Sequence, residues 1–258
     1  MLTDTHIHLD LNEYADDLPS VLSHSETQGV SRWIVPAISL VNWARLPVLH
    51  QQYPNLYYAF GLHPWFLANE TDQALIELEL LLQQRPAGLV AIGECGLDGA
   101  IEVPMPLQIT MLEKQLALAS QYQLPVILHC RKAHNELLRI VKQFTLPRGG
   151  VWHAFSGSHQ QAEQFIELGF KLGIGGVITY PRAEKTRKAV AKLPIESLLL
   201  ETDGPTMPLF QRQGARNEPA YIPEVLAELA VLRQIPPDVL GDAIERNVEK
   251  MFRIPCVE

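Results

Sequence analysis

Residues 2–10 read Leu2-Thr3-Asp4-Thr5-His6-Ile7-His8-Leu9-Asp10. The segment has the pattern of a β-strand, and on a strand residues two apart share a face. His6 and His8 therefore project side by side from the strand's end, the strand counterpart of a histidine pair one turn apart on a metal-binding helix. This ending bears directly on the fold. An open doubly wound sheet carries a Gly-rich phosphate loop after its first strand, and this chain places two imidazoles there. A chance surface pair is the plain alternative, which the remaining strand ends can test.

Outward from this stretch, strand and helix patterns alternate to the end of the chain. Strands are expected at 2–9, 31–38, 56–62, 89–94, 125–129, 150–154, 170–178 and 197–202. Helical patterns lie between them at 13–28, 41–53, 72–85, 106–123, 133–144, 160–168 and 182–192, with two more at 223–234 and 238–252. Eight strands alternating with helices predict parallel βαβ units, and eight is the count of the closed (β/α)8 TIM-type barrel. There is no linker, repeat or low-complexity tract, so residues 1–258 read as one barrel domain. The irregular stretch 204–219 is expected as a loop over the site.

In such a barrel the chemistry sits at the C-terminal mouth of the strands. The first strand ends in His6 and His8, the third in His63 and the fourth in Glu94. The fifth ends in His129, the sixth in His153 and the eighth in Asp203. Five of the nine histidines fall at strand ends; His24, His50, His134 and His159 fall in helices or loops and are expected to be solvated or capping. Any one of the five is satisfactory as a hydrogen-bonded core histidine. Five imidazoles and two carboxylates converging on one mouth need a cation. Mixed nitrogen and oxygen donors suit Zn, Mn or a related divalent ion. His6, His8, Glu94, His129, His153 and Asp203 exceed the three ligands of a tetrahedral catalytic site, and a two-metal site with a shared carboxylate uses them better.

Composition limits the alternatives. The chain is 47% hydrophobic and 19% charged, as globular domains are. No apolar run approaches the roughly 18 residues of a membrane span, and the acidic, polar start does not resemble a signal peptide. The three cysteines, Cys95, Cys130 and Cys256, make no disulfide framework, and a cytoplasmic location is expected. Cys95 and Cys130 each follow a candidate ligand and so are expected to face the packing helices as small apolar groups. A net charge of −8 excludes a broad basic face for duplex DNA. A nucleic-acid substrate then requires local positive charge, bound metal included.

The segments DTHIHLD (4–10), GLHPW (61–65), GECGLD (93–98), LPVILHCR (124–131), HAFSGS (153–158), ETDGP (201–205) and RNEPAYIP (216–223) stand in the order found in the TatD-type metal-dependent deoxyribonucleases of the amidohydrolase superfamily, which this chain resembles over nearly its whole length. The resemblance implies a TIM-type barrel and phosphodiester hydrolysis of DNA with two divalent cations, Zn, Mn or Mg. It implies that His6, His8 and Asp203 hold one metal, that His129 and His153 hold the other, that Glu94 bridges them, and that His63 lines the substrate site. Two loops depart from the family pattern, GAIEVP after GECGLD and TMPLFQRQG after ETDGP. Both border the pocket and bear on substrate preference.

Within this frame Asp203 and Glu94 are the candidate catalytic carboxylates, with Asp203 taking a proton from the attacking water. Glu201, two residues before Asp203, is expected either to orient a ligand histidine or to make a buried structural hydrogen bond. Asp4 stands in the same relation to His6. Arg131 and Arg216 have the bidentate geometry that suits phosphate. The basic run Arg182, Lys185, Arg187 and Lys188 is expected either as a solvated helix face or as a backbone grip. Trp65 and Phe66 suit base stacking or loop packing. Single strands or strand ends fit a barrel mouth better than a duplex interior. The competing function is amidohydrolase-type cleavage of an ester, lactone or amide, such as an aminoacyl-tRNA ester. No obligate protein partner is implied, and a purely structural metal is disfavoured because the donor set is open and free of cysteine.

Overall fold

The structure, a computed structural model, describes residues 1–69 and 72–255. In chain order the elements are β1 (Leu2–Asp4), α1 (Leu18–Thr27), β2 (Val30–Pro36), α2 (Leu40–Trp43), α3 (Arg45–Gln52), β3 (Leu56–Phe60), α4 (Asp72–Gln84), β4 (Leu89–Asp98) and α5 (Met105–Tyr122). They continue with β5 (Val126–Arg131), α6 (His134–Val141), β6 (Gly150–Trp152), α7 (His159–Ile166), β7 (Phe170–Ile174), α8 (Glu184–Val190), β8 (Leu198–Leu200), α9 (Ile222–Arg233) and α10 (Pro237–Phe252). The eight strands follow one another in a parallel sheet in sequence order, the architecture of a (β/α)8 barrel. Residue 256, and with it Cys256, lies outside the described residues. Among the described residues no helix is long and apolar enough to cross a membrane.

Contacts divide the chain into two compact units, Met1–Val35 with His153–Glu258, and Pro36–Trp152. In the first unit β1 pairs with β2 and β7 with β8, all in parallel. Strand β8 also meets β1. Thr5 N–H donates to Leu200 O at 2.9 Å, and Asp203 N–H to His6 O at 2.9 Å. These bonds bring the two strand ends that carry His6, His8 and Asp203 together. Ile7, Ile34, Leu172, Ile174 and Leu198 to Leu200 are fully buried, as expected for strands covered on both faces. At the other end of β1 the buried Glu245 of α10 accepts from Thr3 N–H at 2.8 Å, Thr3 Oγ1 at 2.7 Å and Arg32 Nη2 at 2.5 Å. Arg32 also donates to Pro255 O. The HAFSGS segment ends in a capping box, in which Ser158 Oγ accepts from Gln161 N–H and Gln161 Oε1 from Ser158 N–H, so α7 starts at a fixed point after His153.

In the second unit β3, β4, β5 and β6 pair successively in parallel. Strand β4 runs four residues beyond the expected 89–94 and pairs Gly96 with His129 and Asp98 with Arg131. Gly96 makes this possible. A Cβ there would lie 2.0 Å from His129 O, and its φ is +149°. Helix α5 carries two buried glutamines, Gln108 and Gln115, seven apart and so on one face. Gln115 accepts from Leu62 N–H and donates to Leu62 O, and Gln108 does the same for the Asp98 peptide. One amide fixes the backbone next to His63 and the other the backbone of Asp98.

Two helices differ from expectation for local reasons. The stretch 41–53 divides into α2 and α3 because Pro47 has no N–H to continue the hydrogen-bond ladder back to Trp43. The stretch 13–28 is α-helical only from Leu18, after a 3-10 turn at Asn12–Tyr14; Pro19 occupies the first turn of α1 and tolerates having no intrahelical partner.

Candidate metal centre

In the first unit His6, His8 and Asp203 offer ligand atoms within 4.8 Å of one another. His6 Nε2 lies 3.6 Å and His8 Nε2 3.5 Å from Asp203 Oδ1. These separations are longer than a good hydrogen bond. They match the roughly 3.3–3.6 Å between two donors that each sit about 2.0–2.2 Å from one tetrahedral ion. The His153 ring stacks on His6 at 3.9 Å with planes 9° apart, while His8 meets His6 edge-on at 5.0 Å. His6, His8 and His153 are all buried. Asp203 has a φ of +57°. That left-handed conformation, which Asp tolerates better than most residues, turns the side chain off the strand axis. Burial pushes the Asp203 carboxyl up, but His8, His153 and His6 outweigh it and hold the group below its ordinary value.

Glu201 and Asp4 support this cluster in different ways. Glu201 is fully buried; its Oε1 accepts from Ala154 N–H at 2.5 Å and lies 3.9 Å from His153 Nδ1. It fixes the backbone just after His153. Space for it comes from Gly173, where a Cβ would stand 1.8 Å from Glu201 Oε2. Asp4 accepts from His6 N–H, Thr202 N–H and Thr202 Oγ1, and so ties β1 to the segment after β8 through backbone and hydroxyl groups. Of the two roles expected for Asp4, these contacts are those of the buried structural hydrogen bond. Burial raises its carboxyl to about 7, against those hydrogen bonds.

In the second unit His63, Glu94 and His129 form another group of ligand atoms within 4.8 Å. Glu94 Oε1 lies 3.1 Å from His129 Nδ1 and 3.3 Å from His63 Nε2. His63, expected to line the substrate site, thus stands at ligand distance from Glu94. His129 Nε2 lies 3.2 Å from Asp98 Oδ2, which also accepts from Trp65 Nε1 at 2.7 Å. Burial alone would lower the His129 pKa, but Asp98 and Glu94 on its two nitrogens push it up to about 9. Burial works to raise Asp98, whose bonds to His129 and Trp65 hold it well below the usual carboxylate range. Two carboxylates flanking one imidazole make a site that calls for a cation, and the nitrogen and oxygen donors suit a divalent one. The residues present in both units therefore fit bound metal.

Asp98 was not among the residues expected at the site. The signal is in the sequence: Glu94, Gly96 and Asp98 alternate, so they share a face once the strand continues that far. Arg131 is half exposed with Nη1 3.9 Å from Asp98 Oδ2. Arg216 is engaged elsewhere, with Nη1 and Nη2 bonded to Asp17 at 2.9 and 2.6 Å, Nη2 to Glu218 at 2.8 Å and the guanidinium over the Tyr14 ring. Trp65 is half exposed, its ring 5.9 Å from His63. Cys95 is a buried free thiol that burial pushes up, and Cys130 is a part-buried one raised by burial to about 12. Neither is a reactive thiolate.

A barrel whose strand ends carry these donor sets is a metal-dependent hydrolase of the nuclease type. The chain belongs to the TatD-related DNase family, whose model matches residues 3–253. It is 47% identical over 253 residues to the uncharacterized metal-dependent hydrolase YjjV of Escherichia coli, covering 98% of each chain. The crystal structure of that TatD homologue superposes with a TM-score of 0.96 over 98% of each chain, at 46% identity. The chain is also 32% identical to the 3′-5′ ssDNA/RNA exonuclease TatD of Edwardsiella piscicida, over 98% of this chain and all of that one.

Proposed function

We propose that this chain is a deoxyribonuclease that hydrolyses phosphodiester bonds in single strands or at strand ends. The observation that carries the proposal is the presence of two imidazole–carboxylate donor sets, His6/His8/Asp203 in one unit and His63/Glu94/His129 in the other, the latter flanked by a half-exposed indole, Trp65, that donates to Asp98, the carboxylate that also holds His129. Relatives named as single-strand nucleases support the choice of substrate. We assign His6, His8 and Asp203 to one divalent ion and His129 and His153 to a second, with Glu94 shared, on the family resemblance. Bound divalent ions, Zn, Mn or Mg, would supply Lewis-acid activation of water and of a phosphate oxygen.

The chain's own residues do the rest. Asp203, held ionised by its histidines, accepts the proton of the attacking water. Asp98 fixes the orientation of the His129 ring. Arg131 offers its guanidinium to a phosphate oxygen. Arg216 serves the substrate through the RNEP segment, which it fastens to Asp17, rather than by direct contact. The whole chain acts as one catalytic domain with no obligate protein partner. Its compartment is the cytoplasm, which the free thiols support.

The test is a substrate panel: end-labelled single-stranded DNA against carboxylic esters, lactones and an aminoacyl-tRNA, with wild type and Asp203→Asn. Cleavage of the DNA, lost in the variant, is expected. Ester or lactone turnover without DNA cleavage would transfer the function to the amidohydrolase alternative.

A further inference from the structure

The loops after β7 and β8 enclose a pocket that the metal donors do not use. Val177, Tyr180, Arg182, Ala183, Met207 and Pro208 line about 330 Å³, within the size range of small-ligand sites. The Phe210 ring packs edge-on against Tyr180 at 5.7 Å, and the Arg182 guanidinium lies over the Tyr180 ring at 5.0 Å. Met207 and Phe210 are 39% and 41% exposed. Their loop is nevertheless fixed. Tyr180 Oη donates to Pro208 O at 2.7 Å, Phe210 N–H to Thr179 Oγ1 at 2.8 Å and Asn217 Nδ2 to Met207 O at 3.0 Å, and Leu209 is buried beneath. A rigid, exposed aromatic and apolar wall edged by a guanidinium is the surface on which a nucleobase stacks.

Position and charge give the pocket its direction. Met207 follows Asp203 by four residues, so about 14 Å is the furthest the chain can separate them. Beyond Arg182, Lys185 and Lys188 of α8, with Lys192 and His159, line a second groove of about 430 Å³. Lys185 and Lys188, three apart, share one face of α8, and Lys192 follows in the turn after it. In a chain of net charge −8 this cluster is the local basic surface that a polyanion needs, although Glu184 lies 3.1 Å from Lys188 and Glu163 3.2 Å from His159.

We propose that the Tyr180–Met207–Phe210 pocket holds a base of the single-stranded substrate close to the scissile phosphodiester, and that the Lys185–Lys188–Lys192 groove carries the phosphates beyond it. The inference rests on the nuclease reading and adds to it where the substrate strand runs. It also gives a role to the loop TMPLFQRQG, which departs from the family pattern.

The experiment compares wild type with Phe210→Ala/Arg182→Ala. Binding of a fluorescent single-stranded oligonucleotide is followed by anisotropy on the metal-stripped protein. The ratio of kcat/KM on that oligonucleotide to kcat/KM on bis(p-nitrophenyl) phosphate, which carries no nucleobase, is measured on the metal-loaded enzyme. Loss of base stacking is expected to weaken binding and lower the ratio by about 10-fold or more. An abasic residue near the scissile bond should weaken wild-type binding by a similar factor and the double variant's little further. Lys185→Ala/Lys192→Ala should flatten the salt dependence of binding by about 0.7 per lysine. Wild type and variant that treat intact and abasic strands alike would overturn the subsite while leaving the nuclease reading standing. A wild type that hydrolyses the small diester but neither binds nor cuts oligonucleotides would overturn the nuclease reading, and the subsite with it.

Discussion

Gly173→Ala tests the link between the barrel interior and the proposed ligand His153. A methyl group at this position would stand 1.8 Å from Glu201 Oε2, 2.4 Å from its Cδ and 2.7 Å from its Oε1. Glu201 is fully buried among strand residues, so its carboxylate must be displaced from where it accepts Ala154 N–H. Overpacking costs about 1–3 kcal/mol, and loss of a hydrogen bond to a charged acceptor about 1.5–3 kcal/mol. The expected destabilisation is then about 3–5 kcal/mol, a fall in melting temperature of roughly 6–20 °C for a chain of this size. Because Glu201 holds the backbone beside His153, metal affinity should fall as well, by about 10–100-fold. Gly175→Ala is the control: its Cβ would approach only Glu201 O at 3.3 Å, with the next atom at 3.6 Å. Thermal unfolding and competition with a chelating dye measure the two effects. A Gly173→Ala protein with wild-type melting and metal affinity would refute the reasoning. One that melts early yet binds metal normally would reduce Glu201 to a structural group.

Three further outcomes follow from the contacts. Asp98→Asn removes the carboxylate that orients His129 and should lower metal affinity about 10–100-fold by the same competition measurement. Glu245→Ala removes the near carboxylate of the buried Arg32, leaving Glu249 4.0 Å away, and should cost up to about 3–5 kcal/mol in urea unfolding, with metal content kept because the contact lies at the opposite end of β1 from His6 and His8. Arg216→Met releases Asp17, whose carboxyl its hydrogen bond holds below the ordinary 3.8. A depressed carboxyl stabilises the folded state above its unfolded pKa and loses that effect as pH falls through the folded one. The stability gap between wild type and Arg216→Met should therefore be present at pH 7 and shrink below about pH 4, as urea titrations at several pH values would show.

Much of this was legible in the sequence because parallel strands bury both faces and so appear as apolar runs. Within each unit neighbouring strand ends meet, which is why His6, His8 and Asp203 in one, and Glu94 and His129 in the other, stand out by position as candidate donors. The continuation of β4 to Asp98 was hidden by Gly96, a weak strand former required by the close approach of His129 O. The clamps made by Gln108 and Gln115 were hidden too. On a helical pattern a buried glutamine looks like any polar residue, and only the positions of the Leu62 and Asp98 peptides reveal what it binds. The partners of Arg216 were hidden as well. A guanidinium in a site motif suits phosphate by its chemistry, but its partners Asp17 and Glu218 come from a helix start and from its own loop. Local sequence does not record that Asp17 folds against this loop.

The most direct test of the central claim is DNA cleavage as a function of bound metal. Metal-stripped protein is titrated with Mn or Zn while hydrolysis of an end-labelled single strand is recorded. The account predicts no cleavage without metal, and a rise that levels off near two equivalents per chain and is absent from Glu94→Ala. Cleavage that survives stripping, or that is indifferent to Glu94, would contradict it.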